Sequence, residues 1–131
     1  MILVDSSVWI DYFNKVTSKQ TSFLHQCLGT VPVATGDIIL AEVLRGLRSD
    51  KAYLKAKELM ASLIYFDMLG QKVSSLSVNI YRESRKKGLT IRKPNDLFIA
   101  SFCIINKIPL LHADSDFNVI ARQTKLEVIG F

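Results

Sequence analysis

The chain has 131 residues and a mass of 14.8 kDa, a length typical of one domain, so residues 1–131 are predicted to form a single domain. Hydrophobic residues make up 49% of the composition, which excludes a disordered chain and is enough for a core without disulfides or a structural metal. Lys and Arg number 17 against 12 Asp and Glu, and the formal net charge of +5 favours a polyanionic partner over an acidic small molecule.

Three absences indicate the compartment. Charged residues interrupt every apolar run, so no membrane-spanning segment and no membrane partner are expected. An export signal has a basic segment ahead of an apolar core, and residues 1–13 have no such segment. Cys27 and Cys103 belong to no CxxC motif, which argues against a zinc site or a disulfide framework. We therefore expect a soluble, cytoplasmic protein with two buried free cysteines.

The first half of the chain alternates between strand and helix patterns. Residues 2–4 form a short apolar run that predicts a strand, and Asp5, Ser6 and Ser7 are residues that cap helices, so a first helix is predicted after them. A second helix is predicted around residues 23–28, followed by a strand over residues 31–35. From residue 36 to residue 69 the apolar spacing is helical throughout, which predicts two helices packed as a hairpin.

The second half continues the alternation. A further helix is predicted around residues 73–80, and the helix that begins at Asp96 is apolar nearly all round, so it is expected to be central. Residues 108–112 predict a strand, Phe117 a short helix, and residues 126–129 a last strand. Short strands, each nearly continuously apolar, that alternate with helices predict an α/β fold with a parallel sheet covered on both faces.

Several carboxylates occupy positions where such a sheet would bind a ligand. Asp5 and the pair Asp114 and Asp116 directly follow strands, and in an open parallel sheet ligands bind at the carboxyl ends of the strands. Asp96 begins the central helix. Each of these acids, taken alone, is equally well explained as a helix cap or a turn residue.

Glu42 is harder to explain as a structural residue. It lies in the interior of an apolar helix, where no cap is needed, and an ion pair with Arg45 three residues later is the alternative explanation. Gly46, one turn further on, costs about 1 kcal/mol of helix propensity relative to alanine, which indicates that another group packs closely against that face.

Together the acids make a stronger case, because four separate segments would bring carboxylates to one place. Like charges raise one another's pKa, so such a cluster either takes up protons or binds a cation. Oxygen ligands without His or Cys favour Mg²⁺ or Mn²⁺ over zinc. Without these five acids the remainder of the chain carries a formal charge of +10, from 17 basic residues against seven acids. A metal-filled acidic centre on a basic protein suits phosphodiester cleavage by metal-activated water.

Four segments resemble the motifs of the PIN-domain ribonucleases, and within them the VapC toxins of toxin–antitoxin pairs. They are Asp5-Ser6-Ser7-Val8-Trp9-Ile10, Leu40-Ala41-Glu42-Val43-Leu44-Arg45-Gly46, Asp96-Leu97-Phe98-Ile99-Ala100 and Leu110-Leu111-His112-Ala113-Asp114-Ser115-Asp116-Phe117. The resemblance spans the chain and implies a three-layer α/β/α fold with a short central parallel sheet and a helical hairpin.

The same resemblance assigns roles to residues. It implies that Asp5, Glu42, Asp96 and Asp114 are catalytic and coordinate Mg²⁺ or Mn²⁺, that Asp116 is a fifth carboxylate at a second metal position, and that Ser6 is a supporting hydroxyl. The candidate RNA-binding residues are the basic side chains Arg45, Arg82, Arg85, Lys86, Lys87, Arg92 and Lys93.

The family also implies an activity and partners. The expected activity is that of an endoribonuclease toxin that cleaves structured RNA, with tRNA favoured and rRNA possible. The expected partners are that RNA, a cognate VapB-type antitoxin and a second copy in a homodimer. His112 and Ala113 depart from the commonest family pattern, and His112 either touches substrate or packs at a strand end.

Two other functions compete with this interpretation. One is a catalytically inactive PIN-like module that only binds RNA or protein. The other is a phosphatase of the haloacid dehalogenase kind, but that chemistry needs a carboxylate two positions after the first Asp, where this chain has Ser7. The number of metals, the RNA target and the dimer surface are open at this stage.

Overall fold

A computed structural model describes all 131 residues as seven helices and four strands. In chain order the elements are β1 (Ile2–Val4), α1 (Ser6–Phe13), α2 (Lys19–Cys27), β2 (Val33–Gly36), α3 (Asp37–Gly46), α4 (Asp50–Ala61), β3 (Ile64–Phe66), α5 (Gln71–Lys86), α6 (Pro94–Asn106), β4 (Leu110–Leu111) and α7 (Ser115–Gln123).

The four strands form one parallel sheet in the order β3-β2-β1-β4. In the central strand β1, Leu3 pairs with Ala34 of β2 on one side and with Leu110 of β4 on the other. β1, β2 and β4 are buried along their whole length, as parallel strands between helical layers are. The predicted α/β fold with a short parallel sheet is confirmed.

The helices form two groups. α1 contacts α2, α3 and α4, whereas α6 contacts α5 and α7. α3 and α4 are consecutive and in contact, as the predicted hairpin requires. α6 is central, since most of its residues between Asp96 and Cys103 are buried. Gly46 lies against Ile10, whose Cδ1 is 2.8 Å from the place a Cβ would take, so the close packing predicted at this glycine is present. No helix is both long and apolar enough to span a membrane.

The prediction of continuous helix up to residue 69 is wrong, because α4 ends at Ala61 and residues 64–66 form β3. The apolar residues there kept a helical spacing, but β-branched and aromatic side chains favour strands and β2 had a free edge. β3 occupies that edge, with Ile64 opposite Ala34 and Phe66 opposite Gly36. Ile64 lies on the outermost strand and is exposed. β3 therefore lacks the continuously buried pattern that marks the inner strands.

Other elements also differ from the predictions. β2 spans Val33–Gly36 rather than residues 31–35, and β4 spans Leu110–Leu111 rather than residues 108–112. Residues 126–129 form a single bridge, Val128 to Leu110, rather than a strand. α6 begins at Pro94 instead of Asp96, since proline is well suited to the first turn of a helix. α7 begins at Ser115 rather than Phe117, because the Asp114 carboxylate caps it.

Candidate metal centre

The sheet brings Asp5 and Asp114 to the same edge. Val4, the last residue of β1, pairs with Leu111, the last residue of β4. The backbone N–H of Asp5 donates to the carbonyl oxygen of Leu111 at 2.9 Å, and Asp114 lies just beyond that strand. Both acids also cap helices: Asp5 accepts from the N–H of Ser7, and Asp114 from that of Asp116. Asp5 and Asp114 are therefore helix caps, as the alternative explanation expected, and they also lie at the same edge of the sheet.

Three of the five acids form a tight group, which we call the acidic trio: Asp96, Asp114 and Asp116. One ligand oxygen of each lies within 4.8 Å of the others. Asp5 and Glu42 are outside the trio but close enough to act on it electrostatically. Burial raises the pKa of Asp96 to about 7, with a further contribution from the negative charges of Asp5, Asp114 and Glu42 that outweighs the opposing effect of Lys93.

Asp5 and Asp96 each present a buried carboxylate oxygen with no hydrogen-bond donor. Each residue is 3% exposed, and the oxygens without partners are Asp5 Oδ1 and Asp96 Oδ2. Burial also raises the pKa of Asp5, although hydrogen bonds from Ser7 oppose the shift. Burying such oxygens without partners is costly, and an oxygen-preferring divalent cation would satisfy them. The donor set therefore fits Mg²⁺ or Mn²⁺.

Glu42 is held by neutral donors. Ser6 Oγ donates to Glu42 Oε1 at 3.1 Å, and Asn95 Nδ2 donates to Oε2 at 3.3 Å. The ion pair with Arg45, the alternative explanation for Glu42, is not formed. Ser6 thus lies where the resemblance expected a supporting hydroxyl. Asn95 was missed, although its place directly before Asp96 could have indicated it.

Ser7 is a second polar residue whose place in the site was not predicted from the sequence. Its hydroxyl donates to Asp5 Oδ2 at 2.6 Å and accepts from the N–H of Ala113 at 3.1 Å. Its N–H also donates to Asp5 Oδ2, at 3.0 Å. Ser7 therefore fixes the Asp5 carboxylate and ties it to the segment that carries Asp114.

Lys93 is the one basic residue of the candidate set that contacts the acids. Its Nζ lies 2.5 Å from Asp114 Oδ2 and 4.0 Å from Asp96 Oδ2. The hydrogen bond to Asp114 raises the pKa of Lys93. Burial raises the pKa of Asp114, but the hydrogen bonds from Lys93 and from the N–H of Asp116 outweigh it and leave that pKa below its usual value.

His112 packs inside the protein. It is 8% exposed, its ring centroid lies 5.2 Å from that of Phe117, and its Nδ1 accepts from the N–H of Asp114 at 3.2 Å. Burial lowers the pKa of His112, although the neighbouring Asn118 and the negative charge of Asp114 oppose the shift, and the lowered pKa favours the neutral ring. These contacts support packing at the strand end.

The other basic candidates are exposed and do not contact the acids. Lys86 pairs with Glu83 at 3.2 Å, and the Arg85 guanidinium lies 5.8 Å from the centre of the Tyr81 ring. The exposed candidates are Arg45, Arg82, Arg85, Lys86, Lys87 and Arg92. Their role in RNA binding stays a prediction.

Comparison with known families gives a match over nearly the whole chain. The family model described as PIN domain matches residues 2–123. Ribonuclease VapC11 of Mycobacterium tuberculosis is 31% identical over 133 aligned positions, which cover 100% of this chain and 99% of the relative. A VapC ribonuclease of Mycobacterium bovis matches with the same identity and coverage.

Solved structures share the fold at low sequence identity. VapBC2 from Rickettsia felis, bound to a DNA fragment from its promoter, superposes with a TM-score of 0.78 and 23% identity, covering 98% of both chains. VapC20 of Mycobacterium tuberculosis, described as a sarcin-ricin loop cleaving toxin, gives a TM-score of 0.67 at 16% identity, covering 91% of this chain and 94% of that one.

Proposed function

This chain belongs to the PIN domain family, and we propose that it is a metal-dependent endoribonuclease that acts as the toxin of a VapBC-type pair. One observation in the structure supports the proposal more than any other. Asp5 and Asp96 bury carboxylate oxygens that no donor satisfies, at the sheet edge where the other acids also lie. Burying carboxylate oxygens without donors is unfavourable, and a bound cation would offset that unfavourable free energy.

We assign the cation ligands to the acids at this edge. Asp5, Glu42, Asp96, Asp114 and Asp116 would hold Mg²⁺ or Mn²⁺. When bound, the ion would lower the pKa of a water nucleophile and offset negative charge at the scissile phosphate. No covalent intermediate with a side chain is needed, and in-line attack by water would leave 5′-phosphate and 3′-hydroxyl ends.

The neighbouring polar residues keep the carboxylates in place. Ser6 and Asn95 each donate to one oxygen of Glu42, so that carboxylate is oriented by both. Ser7 orients Asp5 through two hydrogen bonds to Oδ2 and leaves Oδ1 free for a ligand. Such preorganisation limits the rearrangement needed when a cation and a phosphate arrive.

We propose structured RNA as the substrate, with tRNA favoured and rRNA as the alternative. The relatives at 31% identity are named ribonucleases, and the chain outside the five acids is strongly basic. The exposed basic residues of α5 and of the loop before α6 would hold the RNA backbone. This segment leads directly into Asp96 and so ends beside the site.

We also propose that this chain binds a VapB-type antitoxin and that it forms a homodimer. The support for the antitoxin is that structural neighbours such as VapBC2 are described as VapBC complexes. A groove between α1 and α4 offers room for a partner segment, and it is lined by Tyr12, Phe13, Lys15, Lys55, Glu58, Leu59 and Ser62.

The activity can be tested with purified protein and total RNA. Incubation with Mg²⁺ or Mn²⁺ should give discrete cleavage products, and EDTA should stop their formation. Asp96→Asn should lower the cleavage rate at least about 100-fold, since it removes one charged ligand of the cation. Glu127→Gln, a matched change at an exposed acid, should cleave like the parent chain.

Two outcomes would contradict the proposal. Cleavage that survives both EDTA and the Asp96→Asn change would exclude the metal mechanism. RNA binding without cleavage under every metal condition would instead indicate the inactive binding module. If the chain does cleave RNA, mapping the ends of the products in cells would identify the target.

A further inference from the structure

A cavity of about 350 Å³ opens between α5 and the start of α6, outside the candidate metal centre. Its volume lies within the range of about 300–1,000 Å³ that is typical of small-molecule sites. Ile91 and Leu97 contribute buried apolar surface to it, and Tyr81, which is 37% exposed, contributes an aromatic ring. We call this cavity the α5–α6 pocket, and it is lined by Ser77, Val78, Tyr81, Ile91, Arg92, Pro94, Leu97 and Phe98.

The α5–α6 pocket combines aromatic and positively charged groups. Arg92 is one of its lining residues, and none of the lining residues is acidic. The Arg85 guanidinium lies 5.8 Å from the centre of the Tyr81 ring, and Arg85 Nη1 donates to the Tyr81 hydroxyl oxygen at 3.4 Å. An accessible aromatic ring beside guanidinium groups suits a nucleotide, because the ring can stack on a base while the arginines contact phosphate.

The pocket and the acids lie on opposite sides of the first turns of α6. A helix turns by about 100° per residue, so Pro94, Leu97 and Phe98 share one face, and Asp96 lies on the opposite one. A helix is about 10 Å wide, and a stacked strand advances about 3.4 Å per nucleotide. A base in the pocket would therefore lie about three nucleotides from a phosphate at the acids.

We propose that the α5–α6 pocket receives an unpaired base of the RNA, stacked on Tyr81, while Arg85 and Arg92 hold the adjoining phosphates. The inference rests on the proposed ribonuclease function and names the part of the RNA that this face recognises. A base in a loop or bulge is available for such stacking, whereas a base within a duplex is not. A second copy of the chain suits the pocket less well, because a two-fold interface would bring this positive face against itself.

Binding of two RNA hairpins tests the base pocket in EDTA, where the proposed cleavage is stopped. One hairpin has a loop of adenosines, and the other has the same stem with loop nucleotides that lack their bases. The parent chain should bind the adenosine loop at least about tenfold more tightly in fluorescence anisotropy, because a base stacked on an aromatic side chain contributes that much. Tyr81→Leu should lose most of this preference and bind the abasic loop as the parent does.

Two further variants make the result specific. Tyr81→Phe keeps the ring and should retain the preference for the adenosine loop. Tyr65→Leu removes an exposed tyrosine of β3 that does not line the pocket, and it should bind both hairpins as the parent does. Circular dichroism checks that each variant is folded, and size-exclusion chromatography reports its oligomeric state. Tyr81→Met replaces Tyr81→Leu should that variant fail to fold.

The outcomes separate this inference from the proposed function. No preference of the parent chain for the adenosine loop, or an equal loss of affinity for both hairpins in Tyr81→Leu, would overturn the base pocket. A change of oligomeric state in Tyr81→Leu would also overturn it, because the pocket would then be a contact between copies. In each case, metal-dependent cleavage of total RNA by the parent would leave the nuclease proposal intact. Cleavage that resists both EDTA and Asp96→Asn would overturn the proposed function instead.

Discussion

The hydroxyl of Ser7 accepts a hydrogen bond from the backbone N–H of Ala113 at 3.1 Å, and so joins the segments that follow β1 and β4. The same hydroxyl donates to Asp5 Oδ2 at 2.6 Å. One small side chain therefore sets the position of a proposed cation ligand relative to the loop that carries Asp114. This contact spans almost the whole length of the chain and is invisible in a local sequence motif.

Ser7→Ala should reduce RNA cleavage about tenfold, because a loosely held Asp5 would spend less time in position for a cation. The free energy of unfolding should fall by about 1–2 kcal/mol, because the hydrogen bonds of this hydroxyl are removed. Cleavage assays and urea denaturation measure the two effects. Ser62→Ala, whose hydroxyl contacts only the Leu59 carbonyl on the surface, should change neither beyond experimental error.

The stability of the metal-free protein should fall as pH rises. Asp96 ionises at an ordinary pKa of 3.8 in the unfolded chain and at about 7 in the folded one, so the folded state binds more protons between these values. The contribution of Asp96 to the free energy of unfolding is therefore present at low pH. It is lost between pH 4 and pH 7, and the loss is at most about 4 kcal/mol. The raised pKa of Asp5 acts in the same direction.

This pH dependence can be measured by thermal unfolding in EDTA between pH 5 and pH 8. The parent chain should melt at a lower temperature at pH 8, and Asp96→Asn, which stays neutral, should remove much of that decline. Adding Mn²⁺ at pH 8 should restabilise the parent more than the variant. The lowered pKa of His112 acts in the opposite direction, so the comparison with Asp96→Asn is the decisive one. An identical pH dependence in the parent chain and in Asp96→Asn would contradict the burial of the Asp96 carboxylate.

Gly36→Ala should destabilise the fold, because a Cβ there would overlap the Met68 side chain and lie 2.7 Å from the carbonyl oxygen of Phe66. Overpacking of this kind costs about 1–3 kcal/mol. Combining it with Met68→Ala should not restore the parent stability, since the backbone clash remains. Gly130→Ala, which meets nothing within 4 Å, is the matched control and should unfold like the parent in chemical denaturation.

The exposed basic residues of α5 and of the loop before α6 should contribute to RNA binding through their charge. Replacing Lys86, Lys87 and Arg92 by Gln should raise KM for RNA and leave kcat within about twofold. The salt dependence of binding should weaken by about 0.7 in slope for each phosphate that the variant no longer neutralises. Lys55→Gln on α4 is the control. Unchanged binding and an unchanged salt slope in the triple variant would mean that RNA contacts a different face.

Much of the fold was predictable because buried strands and amphipathic helices carry their own patterns. β1 is continuously apolar, β2 is apolar apart from Thr35, and α6 is apolar nearly all round, so the sequence itself indicates that these elements are buried. β3 was not predictable in the same way. It is an edge strand, its residues Ile64 and Tyr65 are exposed, and its identity depends on pairing with β2, which sequence spacing does not reveal.

The candidate site, like the fold, could be predicted from the sequence only in part. The candidate acids were chosen from their places after strands and within helices. The structure brings Asp96, Asp114 and Asp116 together, and the assignment of a metal site to the five acids stays a prediction. The contacts of Ser7, Asn95 and Lys93 were missed because hydroxyl, amide and ammonium groups next to such acids are also common as caps and solvated charges. Only the three-dimensional arrangement shows which of them point inward.

The most direct measurement of the central claim is a crystal structure of the chain grown with Mn²⁺, with anomalous scattering recorded at a wavelength where manganese contributes strongly. We predict an anomalous peak in contact with the carboxylates of Asp5 and Asp96. A well-ordered structure at saturating Mn²⁺ with no peak at these carboxylates, or with Asp5 and Asp96 satisfied by protein donors instead, would contradict the claim.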